Sequence, residues 1–243
     1  MTARNSSGAS PKVAFMIEQT PLERIAGRSL VDEATDQIRV AIIEGSYEGG
    51  AQLVERRIGA DLGIGTIAVR EALGRLEAEG LVLRVPRRGA FVRAVTADAV
   101  RDLSRTRIAV EQLAVELAIE NWTPELTEQA QRIIDLMAKS GRGMSRPPLW
   151  QLDQSFHRLF AEASRSESLM ICWRSLDSRV GQYLRFAART VGADEQLRVV
   201  TIHQRWLDAV KLGSVPKAKA LVLDHVSTSC KSIVDIIAKE GPP

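Results

Sequence analysis

Cysteine is scarce in this sequence: Cys172 and Cys230 are the only two among 243 residues. At most one bridge can join them, which excludes a disulfide scaffold and leads us to expect a reduced, cytoplasmic protein. No apolar run approaches the roughly 20 residues that a membrane-spanning helix needs, so no membrane partner is expected. The first thirty residues hold no continuous apolar core, so secretion is not expected either. Charge of one sign is also missing, since 33 Lys and Arg stand against 30 Asp and Glu for a net +3. So small an excess names no partner, and the position of the charge has to decide. What is present is ordinary: 45% apolar and 26% charged residues exclude global disorder and a collagen-like chain. The length suits one or two domains with a buried core.

The chain changes character near residue 96. Residues 1–28 are rich in Ser, Gly, Thr and Arg without a sustained period, and are expected to form a flexible arm. Ser29 can cap a helix carrying Leu30, Ala34, Ile38, Ala41 and Ile42 at helical spacing. Glu55–Leu62 reads as a short second helix stopped by Gly63, and a third runs from about Thr66 to Glu79. Two apolar runs, 81–85 and 90–95, flank Pro86-Arg87-Arg88-Gly89 and predict a hairpin with a basic tip. Helix, helix, glycine turn, helix and hairpin make a winged helix-turn-helix over 29–95. Beyond it, over 96–243, helical patterns run about 98–120, 124–140, 148–164, 167–190, 194–212 and 216–238. The first of these is open to a split near Ser104. The expected fold is mainly α, with an all-α bundle of six or seven helices behind the winged helix.

Between Arg56 and Arg93 stand eight arginines, no lysine and four acids, so the local excess of positive charge is larger than that of the whole chain. Arginine's planar fork suits phosphate and guanine. Helix-turn-helix geometry brings the start of the third helix to the major groove, which puts Thr66, Ile67 and Arg70 nearest the base edges, with Arg56 beside them. Arg87, Arg88 and Gly89 at the wing tip would face phosphate or the minor groove. Any one of these arginines reads equally well as a solvated surface residue, whereas the set on one helix and one wing favours double-stranded DNA.

The run 53–82 resembles the DNA-binding domain of GntR-type transcriptional regulators. Val69, Arg70, Glu71, Ala72 and Leu73 match that family's third helix. Gly65, Thr66, Ile67 and Ala68 replace its serine, arginine, threonine and proline, so the resemblance implies DNA binding at an atypical operator. Arg56 and Arg70 occupy DNA-contact positions of the family.

All three histidines lie in the helical part. Asp153 and His157 stand four apart on one helix face, and His203 and His225 fall inside two later helices. Singly, each reads as a surface pair or a satisfied core histidine. Together, one carboxylate and three imidazoles on three helices make a divalent-metal site. The same four residues resemble the FCD effector domain in the FadR branch of GntR regulators, whose metal-binding members use one aspartate and three histidines. That resemblance implies a bound divalent ion (zinc first, then nickel, manganese or iron), a small organic acid as effector, and Arg107 as an effector-binding arginine. It also implies a homodimer acting as a repressor and not as an enzyme. Two alternatives stand beside it: a metal-dependent helical-bundle enzyme, and a regulator whose metal is purely structural. Cys172 and Cys230 are expected to be packing residues, and Trp122, Trp150, Trp173 and Trp206 to be core or dimer-face residues.

Overall fold

The computed structural model describes residues 29–140, 147–188 and 192–240. The expected arm over 1–28 lies outside them. Helix α1 spans Leu30–Ile43 and opens on a capping box: the Ser29 hydroxyl accepts from the Asp32 amide, and the Asp32 carboxylate accepts from the Ser29 amide. Helices α2 (Glu55–Leu62) and α3 (Thr66–Ala78) follow, joined by a turn in which Gly63 takes φ 67°. Close approach of the two is possible because Gly59 has no side chain: a Cβ there would stand 2.8 Å from the Ile64 carbonyl oxygen.

Strands β2 (Val82–Val85) and β3 (Gly89–Val92) form the expected hairpin, with Val82 opposite Val92 and Val85 opposite Gly89. A two-residue strand, β1 (Gln52–Leu53), pairs with the far side of β3, so the wing is a three-stranded antiparallel sheet in the order β1-β3-β2. The hairpin reading did not include β1. Ile38, Ile42, Ile58, Val69, Leu73, Leu76 and Leu81 close one apolar core beneath helices and sheet. Each such side chain contributes about 1.5–3 kcal/mol by leaving water.

The helical part holds α4 (Ala97–Glu120), α5 (Pro124–Lys139), α6 (Leu149–Ala163), α7 (Glu167–Ala187), α8 (Ala193–Lys211) and α9 (Val215–Glu240). Helix α4 runs through Ser104 unbroken. Thr96, Thr123 and Ser166 cap α4, α5 and α7 through their hydroxyls, and Pro124 sits in the first turn of α5, where its missing N–H costs nothing. The core gathers Met137, Phe156, Phe160, Trp206, Leu207 and Val222, with Trp122, Phe160 and Trp206 in a stack at 4.9 and 5.0 Å between rings. Trp150 and Trp173 are also buried. Cys230 is half-buried against a second cluster of the bundle, but Cys172 is exposed on α7 and packs nothing. Among the described residues, no helix is long and apolar enough to cross a membrane.

Helix α7 ties the bundle to the N-terminal part. Ser178 donates to Glu79 at 2.8 Å, Gln182 donates to the Arg93 carbonyl at 3.1 Å, and Arg185 pairs with Glu44 at 3.2 Å. Glu79 also receives Arg39 in a bidentate bond at 2.6 and 2.8 Å.

Candidate metal centre and nucleic-acid interface

Helix α6 sets Asp153 and His157 one turn apart on its buried face, α8 brings His203 and α9 brings His225. One ligand atom from each of the four lies within 4.8 Å of the others, and all four side chains are buried. Asp153 Oδ1 stands 3.3 Å from His203 Nε2 and 3.2 Å from His225 Nε2, while Asp153 Oδ2 is 3.8 Å from His157 Nε2.

Two of the imidazoles are oriented by bonds on their far side. His157 Nδ1 meets a Glu111 carboxylate oxygen at 2.6 Å, and His203 Nδ1 meets the Val199 carbonyl at 2.7 Å. A carbonyl can only accept, so His203 carries its proton on Nδ1, and an ionised Glu111 fixes His157 the same way. Both rings then turn an Nε2 lone pair toward Asp153, the arrangement that second-shell partners give to metal-ligating histidines. Burial pushes His225 down to about 3, against the pull of Asp153, so its ring is neutral. The four inward atoms, Asp153 Oδ2 and the Nε2 of each histidine, are buried without a hydrogen-bond partner. Leaving so many polar atoms unsatisfied in one place is costly, and a divalent cation with nitrogen and oxygen ligands satisfies all four at once. The donor set fits a metal.

Glu111 was not singled out in the sequence. It is 4% exposed and takes Arg107 Nε at 2.6 Å on one oxygen and His157 on the other. Burial would raise its pKa, but the charge of Arg107 and the hydrogen bonds from Arg107 and His157 outweigh that and hold it at about 2. The signal available was the four-residue step from Arg107 to Glu111, which joins them on one helix face. Arg107 itself is 5% exposed, and its Nη2 lies 3.8 Å from Asp153 Oδ2 without a hydrogen bond. The structure brings Arg107 to the cluster but not to the large cavity beside it.

That cavity, about 760 Å³ and open to solvent, is reached by Asp153 and His225. Among the described residues, its cationic side chains are Arg198 and Lys239. Arg198 pairs with Glu195 at 2.5 Å, and Glu195 lines the same space. Arg107 borders two small crevices, of about 10 and 20 Å³.

On the N-terminal part, Arg56, Ile67, Arg70, Arg87, Arg88 and Gly89 are exposed, and Thr66 is half-buried in the first turn of α3. Ile67, 80% exposed, is the most exposed large apolar side chain among the described residues. The start of α3 has no side-chain cap, because Gly65 stands at the capping position. Arg70 is held by Glu55, with Nε 3.1 Å and Nη2 2.7 Å from its carboxylate. At the wing, Arg87 adopts φ 63° and Arg88 lies 5.7 Å over the Phe91 ring, while Gln52 from β1 donates to the Arg88 carbonyl.

Comparison with known proteins agrees with this division of features. Residues 30–92 match the bacterial regulatory proteins of the gntR family, and residues 102–228 match the FCD domain. An HTH-type transcriptional regulator of Bacillus subtilis (strain 168), YdhC, is 28% identical over 210 residues, covering 85% of this chain and 91% of its own. A probable D-xylose utilization operon transcriptional repressor of Paenarthrobacter nicotinovorans is 26% identical, covering 84% and 89%. Among solved structures, Escherichia coli McbR/YncC superposes with a TM-score of 0.75 at 20% identity, covering 86% of this chain and 99% of its own, which shows a shared fold.

Proposed function

The chain belongs to the gntR family of bacterial regulatory proteins and carries an FCD domain, and from that premise we propose that it is a cytoplasmic repressor controlled by a carboxylate effector at a divalent-metal site. Its domains and relatives are those of DNA-binding transcriptional regulators and not of enzymes. In this reading, residues 29–95 form the DNA-binding unit, residues 96–243 form the effector unit, and two chains pair on an operator with two half-sites. Arg70, Thr66 and Ile67 meet base edges, Arg56 lies beside them, and Arg87, Arg88 and Gly89 follow the backbone at the wing. Arg70 exchanges Glu55 for DNA when it binds.

The observation that carries the effector half is the set of four unsatisfied buried atoms on Asp153, His157, His203 and His225, a cluster whose Asp153 and His225 reach the wall of an open cavity. These four residues would hold the ion, zinc first, with nickel, manganese or iron as alternatives. When bound, the ion supplies a fixed positive charge and a position for a carboxylate oxygen. Arg107 acts from behind the cluster: it holds Glu111, which orients His157, and its charge favours an anion nearby. Helix α7 borders the cavity through Leu184 and Ala187 and touches the DNA-binding unit through Ser178, Gln182 and Arg185. An effector that fits one setting of α7 better than another shifts the balance between DNA-binding arrangements.

The test is His203→Ala. Metal content and acid binding, read by elemental analysis and calorimetry, should fall together while operator binding without acid persists. A variant that loses its metal and keeps the full acid response leaves the ion a structural brace and overturns the reading.

A further inference from the structure

The cavity beside the cluster does not have the dimensions of a two- or three-carbon acid. At about 760 Å³ it lies within the range of roughly 300–1,000 Å³ that holds drug-sized ligands. An acetate ion, with four heavy atoms and on the order of 100 Å³ by comparison with a water's share of ~30 Å³, would leave most of it to solvent. Its shape is elongated. The lining includes both His225 and Lys239 of α9, fourteen positions apart, which at 1.5 Å per residue spreads it over about 21 Å of that helix.

Its walls are graded. The cluster end presents Asp153 and His225, with Arg198 close enough to feel the charge of Asp153. The sides are built from Leu149, Trp150, Leu184, Val199, Ile233 and Ile236, and the far end reaches Asp235 and Lys239. A channel whose wall is mostly apolar, interrupted by Ser140, Gln196, Ser229 and Ser232, and which begins at a cluster able to hold a cation, matches a molecule with an anionic head and an apolar body.

We propose that the effector is a monocarboxylic acid with an extended apolar body of about eight or more carbon atoms, its head at the Asp153–His225 end and its body along α9. This rests on the reading of the cluster as the site of the effector's carboxylate. The body gains affinity by burying methylenes against Leu184, Val199 and Ile233, and this selects long acids over short ones.

The experiment is calorimetric titration of the full chain loaded with Zn²⁺, using acetate, butyrate, hexanoate and octanoate. Affinity should rise by about fourfold for each added methylene, reaching roughly four-thousandfold over the added length between acetate and octanoate. Ser232→Trp, which fills the channel from α9 away from the cluster, should weaken octanoate by tenfold or more and leave zinc content and acetate binding unchanged. Affinity that is flat or falls with length overturns the proposal and leaves the carboxylate site standing. Octanoate binding untouched by Ser232→Trp places the chain elsewhere and overturns it as well. Octanoate that binds with undiminished strength after chelation of the zinc supports the channel and overturns the metal anchor. Binding of none of the four acids overturns both readings.

Discussion

Arg70 and Arg107 each give their Nε to a glutamate, Arg70 to Glu55 at 3.1 Å and Arg107 to Glu111 at 2.6 Å. The Arg70 side chain is 60% exposed and that of Arg107 is 6% exposed. At the surface, water solvates either partner when the pair opens, so the bond is worth little and can be traded for phosphate or a base. In the interior nothing replaces a missing partner, and the pair must persist for the fold to persist. The N-terminal part is thus built to exchange its partners, and the centre of the bundle is built to keep them.

The sharpest way to break that comparison is to remove Glu111. Glu111→Ala leaves Arg107 charged without the carboxylate it bonds, with Asp153 and Asp177 the acids near it, and deprives His157 Nδ1 of its acceptor. Unfolding of the metal-free protein in urea should lose about 3–5 kcal/mol. Glu111→Gln, which keeps an acceptor for His157, should lose less and retain more metal. Equal stability of Glu111→Ala and the unaltered chain would falsify the claim that this pair is structurally fixed.

Arg70→Ala tests the other side. The unfolding midpoint should stay where it is, because Arg70 and Glu55 are both reached by solvent. Operator binding should weaken by about ten- to a hundredfold if Arg70 reads a base, with relaxed preference at that position. Equal weakening on every sequence, with a shallower salt dependence, identifies a phosphate contact instead. Glu55→Ala should act in the opposite direction and tighten binding, since Arg70 then has no carboxylate to leave. A smaller effect is expected from Thr66→Arg, which restores the arginine of the resembling family at the start of α3. It should alter which operator is preferred more than how tightly any is bound, and an unchanged preference means that this position does not face the bases.

The helices were legible from sequence because their signals are local. Capping residues, glycine stops and apolar spacing sit within a few residues of the boundary they set, as Ser29, Gly63, Pro124 and Ser166 show. The four members of the cluster were legible as a set, because all three histidines of the chain fall in its helical part and with Asp153 they resemble the FCD pattern. Strand β1 was not, since two residues hold no periodicity and Gln52 finds Phe91 only through the fold. Glu111 was missed for a related reason. On α4 it reads as an ordinary helical acid, and only its partner His157, on α6, reveals what it orients. The resemblance makes Arg107 an effector-binding arginine, and the tertiary packing turns its Nε to Glu111, away from the cavity lining. Arg198 had no signal at all, because a step of three from Glu195 is what any exposed pair would show.

The smallest expected effect is also the one whose sign separates a half-buried acid from a fully buried one. Asp177 on α7 accepts from Gln154 at 2.9 Å and pairs with Arg158 at 2.8 Å. Burial raises its pKa above the ordinary 3.8, more than Arg158 lowers it. The folded chain therefore holds the Asp177 proton to higher pH than the unfolded chain does. Stability falls as pH rises from about 3.8 through the folded value, and the cost persists at neutral pH. Glu111 behaves in the reverse way, since Arg107 holds it at about 2: its contribution is present above the ordinary 4.5 and is lost as pH falls toward 2. Asp177→Asn keeps an acceptor for Gln154 and removes the buried charge. The stability of this variant relative to the unaltered chain should grow as pH rises from 3.5 to 7 and then level off, measured by urea unfolding at a series of pH values. A relative stability that declines over that interval would mean that Arg158 outweighs burial, and that Asp177 belongs with Glu111 among the acids the bundle needs charged.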